Sequence, residues 1–247
     1  MREGYETYQF RIALSAIVEF CNVDLSAFYV DVRKDALYCD PPTSARRRAC
    51  RAALNETFLR LAIWLAPLMP FTAEEAWLTR YPNEVSVHLR QFLETPEAWR
   101  DAGSYKQLEF VRSIRRVVTG ALEISRAERK IGSSLEAKVV VFDTNMGAEF
   151  NVADLAQKNG SASAEDFLSE LFITSGAEWR SGEEGPQNAF RLMDDSRNIS
   201  VIVEKASGAK CARSWKYFDP ATANPRFPDI NPRDAEAVIA WDAAHGR

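Results

Sequence analysis

Apolar residues recur every three or four positions through most of the first 130 residues, which is the period of an amphipathic helix. In the opening segment Tyr8 and Ile12 lie on one face of the predicted helix, and Phe10 and Leu14 widen that apolar face. Prolines interrupt the pattern after residue 40 and after residue 66, where they end helices because they remove a backbone donor. The pattern predicts helices over residues 1–22, 24–38, 43–66 and 105–130, and a short helix opened by a capping box at Thr72-Ala-Glu-Glu75.

The pattern changes near residue 135. Residues 138–142 and 199–203 are runs of β-branched and apolar residues that predict strands, and residues 164–171 predict a helix between them. Residues 217–233 are rich in proline and asparagine and predict an ordered arm before a last helix over 234–244. The predicted fold is mainly α: a helical bundle over residues 1–134 is followed by a smaller α+β domain over residues 135–247.

The chain opens inside an amphipathic helix with no capping residue ahead of it. This favours the interpretation that the chain is a segment of a longer polypeptide. The alternative is a native N-terminus with a frayed first turn. Charged residues interrupt every apolar run, so we expect neither a membrane span nor a signal peptide. Cys21, Cys39, Cys50 and Cys211 are too scattered for a disulfide scaffold, which indicates a reducing cytoplasm.

The charge is unevenly distributed. The formal net charge is −4, but residues 1–135 carry 19 Lys and Arg against 17 Asp and Glu, and residues 136–247 carry 12 against 18. Any contact with nucleic acid is therefore expected mostly on the first part, in local basic patches. The two histidines have no metal-ligand spacing, and the chain has no glycine-rich phosphate loop, so no catalytic residues are predicted.

Arginines crowd the first turns of the helix predicted over 43–66, at Arg46, Arg47, Arg48 and Arg51. The guanidinium fork and the donors of a helix N-terminus both suit phosphate. Further cations lie on two other predicted helices, at Arg33, Lys34, Arg115, Arg116, Arg126, Arg129 and Lys130. The alternative is that these residues form solvated faces with salt bridges to neighbouring glutamates.

Trp215 is flanked by Arg213 and Lys216. An exposed aromatic ring between two cations can stack on an unpaired base while the cations hold phosphates. The alternative is a tryptophan buried in the core.

Three segments carry a resemblance to a known family. They are Asn22-Val-Asp-Leu-Ser-Ala-Phe-Tyr-Val-Asp-Val-Arg-Lys-Asp-Ala-Leu-Tyr38, Leu65-Ala-Pro-Leu-Met-Pro-Phe-Thr-Ala-Glu-Glu-Ala-Trp77 and Arg126-Ala-Glu-Arg-Lys-Ile-Gly-Ser-Ser-Leu-Glu-Ala137. The chain resembles the anticodon-binding helical domain and C-terminal domain of class I aminoacyl-tRNA synthetases for branched aliphatic amino acids, and the bacterial isoleucyl form most closely. The His-Ile-Gly-His-like and Lys-Met-Ser-Lys-Ser-like motifs that bind ATP in this class are absent, so the chain alone is expected to be inactive. ATP and magnesium would belong to a catalytic domain outside it.

The resemblance extends to Gly208-Ala-Lys-Cys-Ala-Arg-Ser-Trp-Lys216, which is similar to the first half of a C-terminal zinc segment that normally carries Cys-x-x-Cys twice. Here Cys211 has Ser214 in the partner position, and no cysteine follows. One thiolate cannot hold tetrahedral zinc, so zinc is predicted to be lost from residues 208–233. We expect aromatic and proline packing to hold the segment, through Trp215, Tyr217, Phe218 and Phe227.

The resemblance implies isoleucine tRNA as the partner, together with upstream catalytic and editing domains of the same polypeptide, in a monomeric cytoplasmic protein. The candidate tRNA-binding residues are Arg33, Lys34, Arg46, Arg47, Arg48, Arg51, Arg115, Arg116, Arg126, Arg129, Lys130, Arg213, Trp215 and Lys216. Two alternatives remain: a valyl or leucyl homologue, and a helical adaptor whose basic face binds protein.

Overall fold

The computed structural model describes residues 1–144, 151–192 and 198–246. These residues form two compact units, the first made of residues 1–34 and 48–100, the second of residues 35–47 and the residues from 101 onward. Helices dominate, and the strands are confined to the last part of the chain. The prediction of a mainly α fold with a smaller α+β part is confirmed.

The first helices differ from the predicted ones. Helix α1 (Arg2–Glu6) ends at a break where Tyr8 takes a left-handed backbone with φ of 58°. From Phe10 the chain is helical without interruption through α2 (Phe10–Glu19), a π-helical stretch (Phe20–Val30) and α3 (Asp31–Cys39). The predicted break between residues 22 and 24 was wrong, because neither proline nor glycine lies between residues 10 and 39.

The helical run Phe10–Cys39 is long and apolar enough to cross a membrane by length and composition. The expectation that charged residues interrupt every apolar run was wrong for this segment, whereas the absence of a membrane span stays a prediction. Between Arg11 and Asp31 only Glu19 and Asp24 are charged, which is too few to interrupt the run. Length and composition do not distinguish a membrane span from a helix that packs on protein.

The first unit continues with α4 (Ala45–Leu65), whose first residues belong to the second unit, and α5 (Pro70–Arg80). Ser44 accepts a hydrogen bond from the Arg47 backbone amide at 3.3 Å and so satisfies one of the free donors in the first turn of α4. The predicted capping box at residue 72 was wrong, since α5 begins two residues earlier at Pro70, whose fixed φ suits the first helical position. The core of this unit is Ala62, Ile63, Ala66, Ala73, Trp77 and Val87.

The second unit is built around α6 (Ala102–Ala127), which Asp101 caps through the amides of Gly103 and Ser104. The other elements of this part are β1 (Ala137–Asp143), α7 (Val152–Lys158), α8 (Ala164–Phe172), β2 (Gly176–Ser181), β3 (Phe190–Arg191) and β4 (Ile199–Lys205). The sheet has the strand order β2-β1-β4-β3, with β1 parallel to β2 and antiparallel to β4.

Helix α6 packs on β4, β3 and α8. Its inner face, which includes Val117 and Val118, is fully buried. This helix therefore belongs to the same compact unit as the sheet, although the sequence suggests a division at residue 134. The assignment of residues 1–134 as a domain of their own stays a prediction.

The last part of the chain forms a small antiparallel pair of strands, β5 (Ala209–Lys210) and β6 (Tyr217–Phe218), followed by α9 (Pro232–Ala244). Gly208 enters β5 with φ of +98°, and a β-carbon there would collide with the carbonyl of Phe218. Beneath the pair, Cys211, Ile230 and Ala235 form a small buried core.

Candidate nucleic-acid interface

Trp215 lies on the turn that joins β5 to β6. The Cys211 amide donates to the Lys216 carbonyl at 2.8 Å, and the Trp215 amide donates to the Cys211 carbonyl at 3.0 Å. These two bonds close a tight turn in which Trp215 takes a left-handed backbone with φ of 64°. Its side chain is 61% exposed, so the alternative of a core tryptophan does not hold. Lys210 places its Nζ 5.6 Å from the centre of the ring, within range of a cation–π interaction.

The cations next to Trp215 in sequence contact the protein itself. Arg213 donates from Nη1 to the Cys39 carbonyl at 2.7 Å and from Nη2 to the Tyr38 carbonyl at 3.0 Å. These carbonyls end α3, where cations are favoured by the helix dipole. Lys216 lies 3.5 Å from Asp35. Lys210, which sequence reasoning missed, is therefore a cation at the exposed ring. It lies on β5 opposite Tyr217 of β6, and its contact with the ring depends on how the turn folds back, for which the sequence carries no local signal.

Asp35 is the centre of a half-buried group of charges. Arg233 donates to both of its carboxylate oxygens, with a distance of 2.9 Å from Nη2 to Oδ1, and Lys216 adds a second cation. Burial alone would raise the pKa of Asp35, but the hydrogen bond from Arg233 and the charges of Lys216 and Arg233 outweigh it, so the pKa lies well below its usual range. The carboxylate stays ionised and tied to these two residues.

Arg46 and Arg47 are also engaged with the protein. Arg46 donates to both carboxylate oxygens of Asp40, at 2.6 and 2.8 Å, and to Glu170 Oε2 at 2.8 Å. Its side chain is largely buried between these carboxylates. Arg47 donates to the Asp40 carbonyl at 2.7 Å. A phosphate contact by Arg46 would require breaking two buried ion pairs, which is costly.

The other two arginines of this cluster face solvent. Arg48 and Arg51 are exposed on α4, and within the described ranges neither has an ion-pair or hydrogen-bond partner. Lys34 is exposed and lies 3.0 Å from Asp31 in an i, i+3 pair, and Arg33 is half-buried on the same helix. The predicted cluster over residues 46–51 is thus divided: two residues support the fold and two remain available to a ligand.

The cations of α6 are similarly divided. Arg115 donates to the Leu171 carbonyl and so ties α6 to α8, while Arg116 is exposed. Of the remaining three, Arg126 lies in the last turn of α6 and pairs with Glu123. After the helix, Lys130 pairs with Glu128 at 2.7 Å, and exposed Arg129 takes a left-handed backbone with φ of 58°. Such exposed pairs contribute little to stability and can exchange for phosphate.

The described residues contain no group of three or more His, Cys, Asp or Glu side chains that could hold a metal ion. Cys211 is fully buried and donates from its thiol to Asp234 Oδ2 at 3.1 Å. Asn231 and Asp234, which sequence reasoning missed, complete this contact. Their Asn-x-x-Asp spacing repeats that of Cys211-x-x-Ser214 and is the signal that could have found them.

Comparison with known proteins gives consistent matches. The family model described as the anticodon-binding domain of tRNA ligase matches residues 1–141, which is more than half of the chain. Isoleucine–tRNA ligase from Brucella abortus (strain 2308) is 49% identical over 239 residues, covering 96% of this chain and 23% of that protein. The proteins of the same name from Mesorhizobium japonicum and Caulobacter vibrioides are 46% and 44% identical, and each match covers 100% of this chain and 24% of the relative. The chain therefore spans about a quarter of the length of the curated relatives it matches.

Proposed function

Because the chain belongs to the family of anticodon-binding domains of tRNA ligases, we propose that it binds the anticodon stem-loop of a transfer RNA. The curated relatives named isoleucine–tRNA ligase make isoleucine tRNA the first candidate. The helical run Phe10–Cys39 falls inside the family match, so we assign it to this domain and not to a membrane. The adaptor alternative, in which the basic face binds protein, has no such support.

The observation that carries the proposal is the exposed ring of Trp215 with the Lys210 ammonium beside it. The bases of an anticodon loop are unpaired, and proteins recognise such bases by stacking them on aromatic rings. The rigid turn holds the ring in place before binding, so little side-chain entropy is lost when a base stacks on it. The Lys210 ammonium over the ring adds attraction for the phosphate next to that base.

The phosphates of the stem are proposed to contact exposed cations. Arg48, Arg51 and Arg129 have no ion pair with any other described residue, so they can bind phosphate without losing a partner. The exposed cations that already have a contact with the protein form a secondary set: Lys34, Arg116 and Lys130, with the half-buried Arg33 and Arg126 at its margin. We place Arg46, Arg47, Arg115, Arg213 and Lys216 outside the contact set, because each bonds to the protein.

The whole protein is proposed to join isoleucine to its tRNA with ATP, as a cytoplasmic monomer. This chain would contribute binding and orientation of the tRNA, and the reaction would take place on parts of the polypeptide outside it. Such binding would lower the barrier of the reaction by orienting the tRNA, because a bound and oriented substrate reacts as if it were at a high effective concentration.

A titration with isoleucine tRNA and with an anticodon-swapped tRNA tests the proposal. Trp215→Ala is expected to weaken binding to isoleucine tRNA by roughly 5- to 150-fold, which corresponds to about 1–3 kcal/mol for one stacked base. Trp215→Phe should restore part of the loss, since a ring is retained. Trp99→Ala is the matched control, because Trp99 is 54% exposed and has Arg60 at 4.7 Å from its ring.

The expected pattern is tight binding that weakens on the anticodon swap and on Trp215→Ala but not on Trp99→Ala. Equal binding of both tRNAs would reduce the proposal to contact with the stem. Equal effects of the two tryptophan variants would remove the assignment of Trp215 as the stacking residue.

A further inference from the structure

Two pairs of side chains from separate parts of the C-terminal segment, Cys211 with Ser214 and Asn231 with Asp234, meet at the base of the Trp215 turn. Cys211 and Ser214 have the spacing of the first half of the family's zinc segment, and Asn231 and Asp234 repeat that spacing in its second half. Cys211 and Asp234 are fully buried, and Asn231 is nearly so. We call these four residues the polar cluster.

The polar cluster is linked by hydrogen bonds from one half to the other. Asn231 Nδ2 donates to Ser214 Oγ at 2.9 Å and to Asp234 Oδ2 at 2.8 Å. The Cys211 thiol donates to the same Asp234 oxygen at 3.1 Å, and the backbone amide of Asn231 donates to Cys211 Sγ at 3.4 Å. Asn231 Oδ1 in turn accepts from the Asp234 amide at 2.9 Å, which caps α9. Both hydrogens of the Asn231 amide group are therefore used.

This set of donors and acceptors does not fit zinc. A structural zinc site takes four thiolate or imidazole ligands, whereas here one thiol, one hydroxyl, one amide and one carboxylate are present. The side-chain nitrogen of Asn231 is occupied as a donor, and Cys211 Sγ donates to Asp234 Oδ2. A buried network that is satisfied in this way stabilises a single arrangement of its members.

The charge of the cluster is also balanced without a metal. Asp234 is a buried carboxylate that would be costly to hold alone. Arg233 donates to its Oδ1 at 2.9 Å, and Arg213 lies 3.6 Å from the same oxygen. The negative charge is thus compensated by two arginines, which takes the place of the positive charge a zinc ion would supply.

We infer that the polar cluster replaces the zinc centre of this family and holds the Trp215 turn with no metal. The two halves of the segment are joined at the four positions where a metal would join them, but through side-chain hydrogen bonds. The expected aromatic packing contributes as well, since Phe218 and Phe227 pack against the small core of the segment, whereas Trp215 is exposed. The inference concerns how the turn is held and does not depend on RNA binding.

The first test is the metal content of the chain. Purified in the presence of zinc and dialysed, it is expected to carry well under one zinc per chain, and its melting temperature should be unchanged by a chelator. One zinc per chain whose removal lowers the melting temperature would overturn the inference.

The second test introduces the missing ligands. The variant with Ser214→Cys, Asn231→Cys and Asp234→Cys has four thiols at the positions of the cluster and is expected to bind one cobalt ion per chain with the absorption of a tetrahedral thiolate site. Its melting temperature should then become sensitive to a chelator. Ser214→Cys alone is the matched control and should bind cobalt much more weakly, because it supplies only two thiols. Absence of cobalt binding by the triple variant would show that the four positions do not converge, which contradicts the inference.

The third test removes one bond donor. Asn231→Ala leaves Ser214 and Asp234 without a shared partner and is expected to lower the melting temperature by roughly 3–10 °C. Asn188→Ala removes the same amide from an exposed position and should leave it unchanged. Equal melting temperatures for wild type and Asn231→Ala would contradict the inference, whatever the outcome of the RNA titrations.

Discussion

Arg233 holds Asp35 through both oxygens of its carboxylate, across 198 residues of sequence. The pair joins the start of α9 to the last turns of α3, and both residues lie in the second compact unit. Arg233 contacts Asp234 as well, so the arginine connects the Asp35 charge group with the polar cluster. The last turn of α3 is therefore a structural part of the C-terminal region.

The Asp35 pair should make stability depend on pH. The pKa of Asp35 is lowered in the folded chain, so its contribution is complete above the unfolded pKa of about 3.9 and is lost as pH falls toward the folded value. Asp35→Asn is expected to lower the free energy of unfolding by about 1.5–3 kcal/mol at neutral pH, the range for bonds to charged groups. The difference from wild type should shrink as pH falls through about 4. Urea unfolding at a series of pH values measures this.

Glu97→Gln is the control for this prediction. Glu97 is highly exposed and lies 3.7 Å from Arg100, so the change should stay within about 0.5 kcal/mol at every pH. A cost of Asp35→Asn that persists unchanged at low pH would show that packing, and not the charge, is responsible.

Arg213 is expected to affect stability and not the salt dependence of RNA binding. Its two donors cap the carbonyls of Tyr38 and Cys39, and lysine cannot reproduce that planar fork. Arg213→Lys keeps the charge but should lower the free energy of unfolding by about 1 kcal/mol. The slope of tRNA affinity against salt concentration should be unchanged. A reduced slope with unchanged stability would return Arg213 to the phosphate contact set.

Much of the fold follows from local patterns. Helix α4 ends at Leu65, just before Pro67, so its end can be predicted from the sequence. Strand β1 can be predicted as well, because it is a run of β-branched residues that is buried on both faces. Strand β2 was missed because Gly176–Ser181 carries Glu178 and Arg180, which form an ion pair at the edge of the sheet. The sequence predicts a helix break near residue 22, whereas the observed break is at Tyr8. A residue with a left-handed backbone does not change the spacing of the apolar residues, so the hydrophobic pattern does not show this break.

The candidate interface was less predictable, because partners distant in sequence decide which cations are free. Arg46 and Arg48 are two residues apart and look alike in the sequence. Arg46 donates to Asp40, which is 6 residues away, and to Glu170, which is 124 residues away, and its side chain is largely buried between these two carboxylates. The exposure of Trp215 likewise depends on the tight turn that the Cys211–Lys216 bonds close.

Gly208 should be one of the least replaceable residues of the small β5–β6 pair. Its φ of +98° is unfavourable for any other residue, and a β-carbon would collide with the Phe218 carbonyl. Gly208→Ala is expected to cost more than about 2 kcal/mol of unfolding free energy. Gly160→Ala is the matched control, since Gly160 has φ of +69° with no atom near the position of a β-carbon, and it should cost only about 1 kcal/mol. Equal costs would mean that backbone strain alone, without the collision, sets the effect; chemical denaturation distinguishes the two.

Arg48 and Arg51 should account for part of the salt dependence of tRNA binding. Each phosphate contact releases counterions, so the affinity falls with salt in proportion to the number of contacts. Replacing both residues with alanine is expected to weaken binding to isoleucine tRNA and to its anticodon-swapped form alike. The slope of the logarithm of affinity against the logarithm of salt concentration should decrease in magnitude by about 1–2. Stability should change little, because both side chains are exposed and have no ion-pair partner within the described part of the chain.

Arg100→Ala removes an exposed arginine that is already paired with Glu97 and serves as the control. If the double variant keeps the wild-type slope, the phosphate contacts of the first compact unit lie elsewhere, and exposed Lys34 of α3 is the next to test.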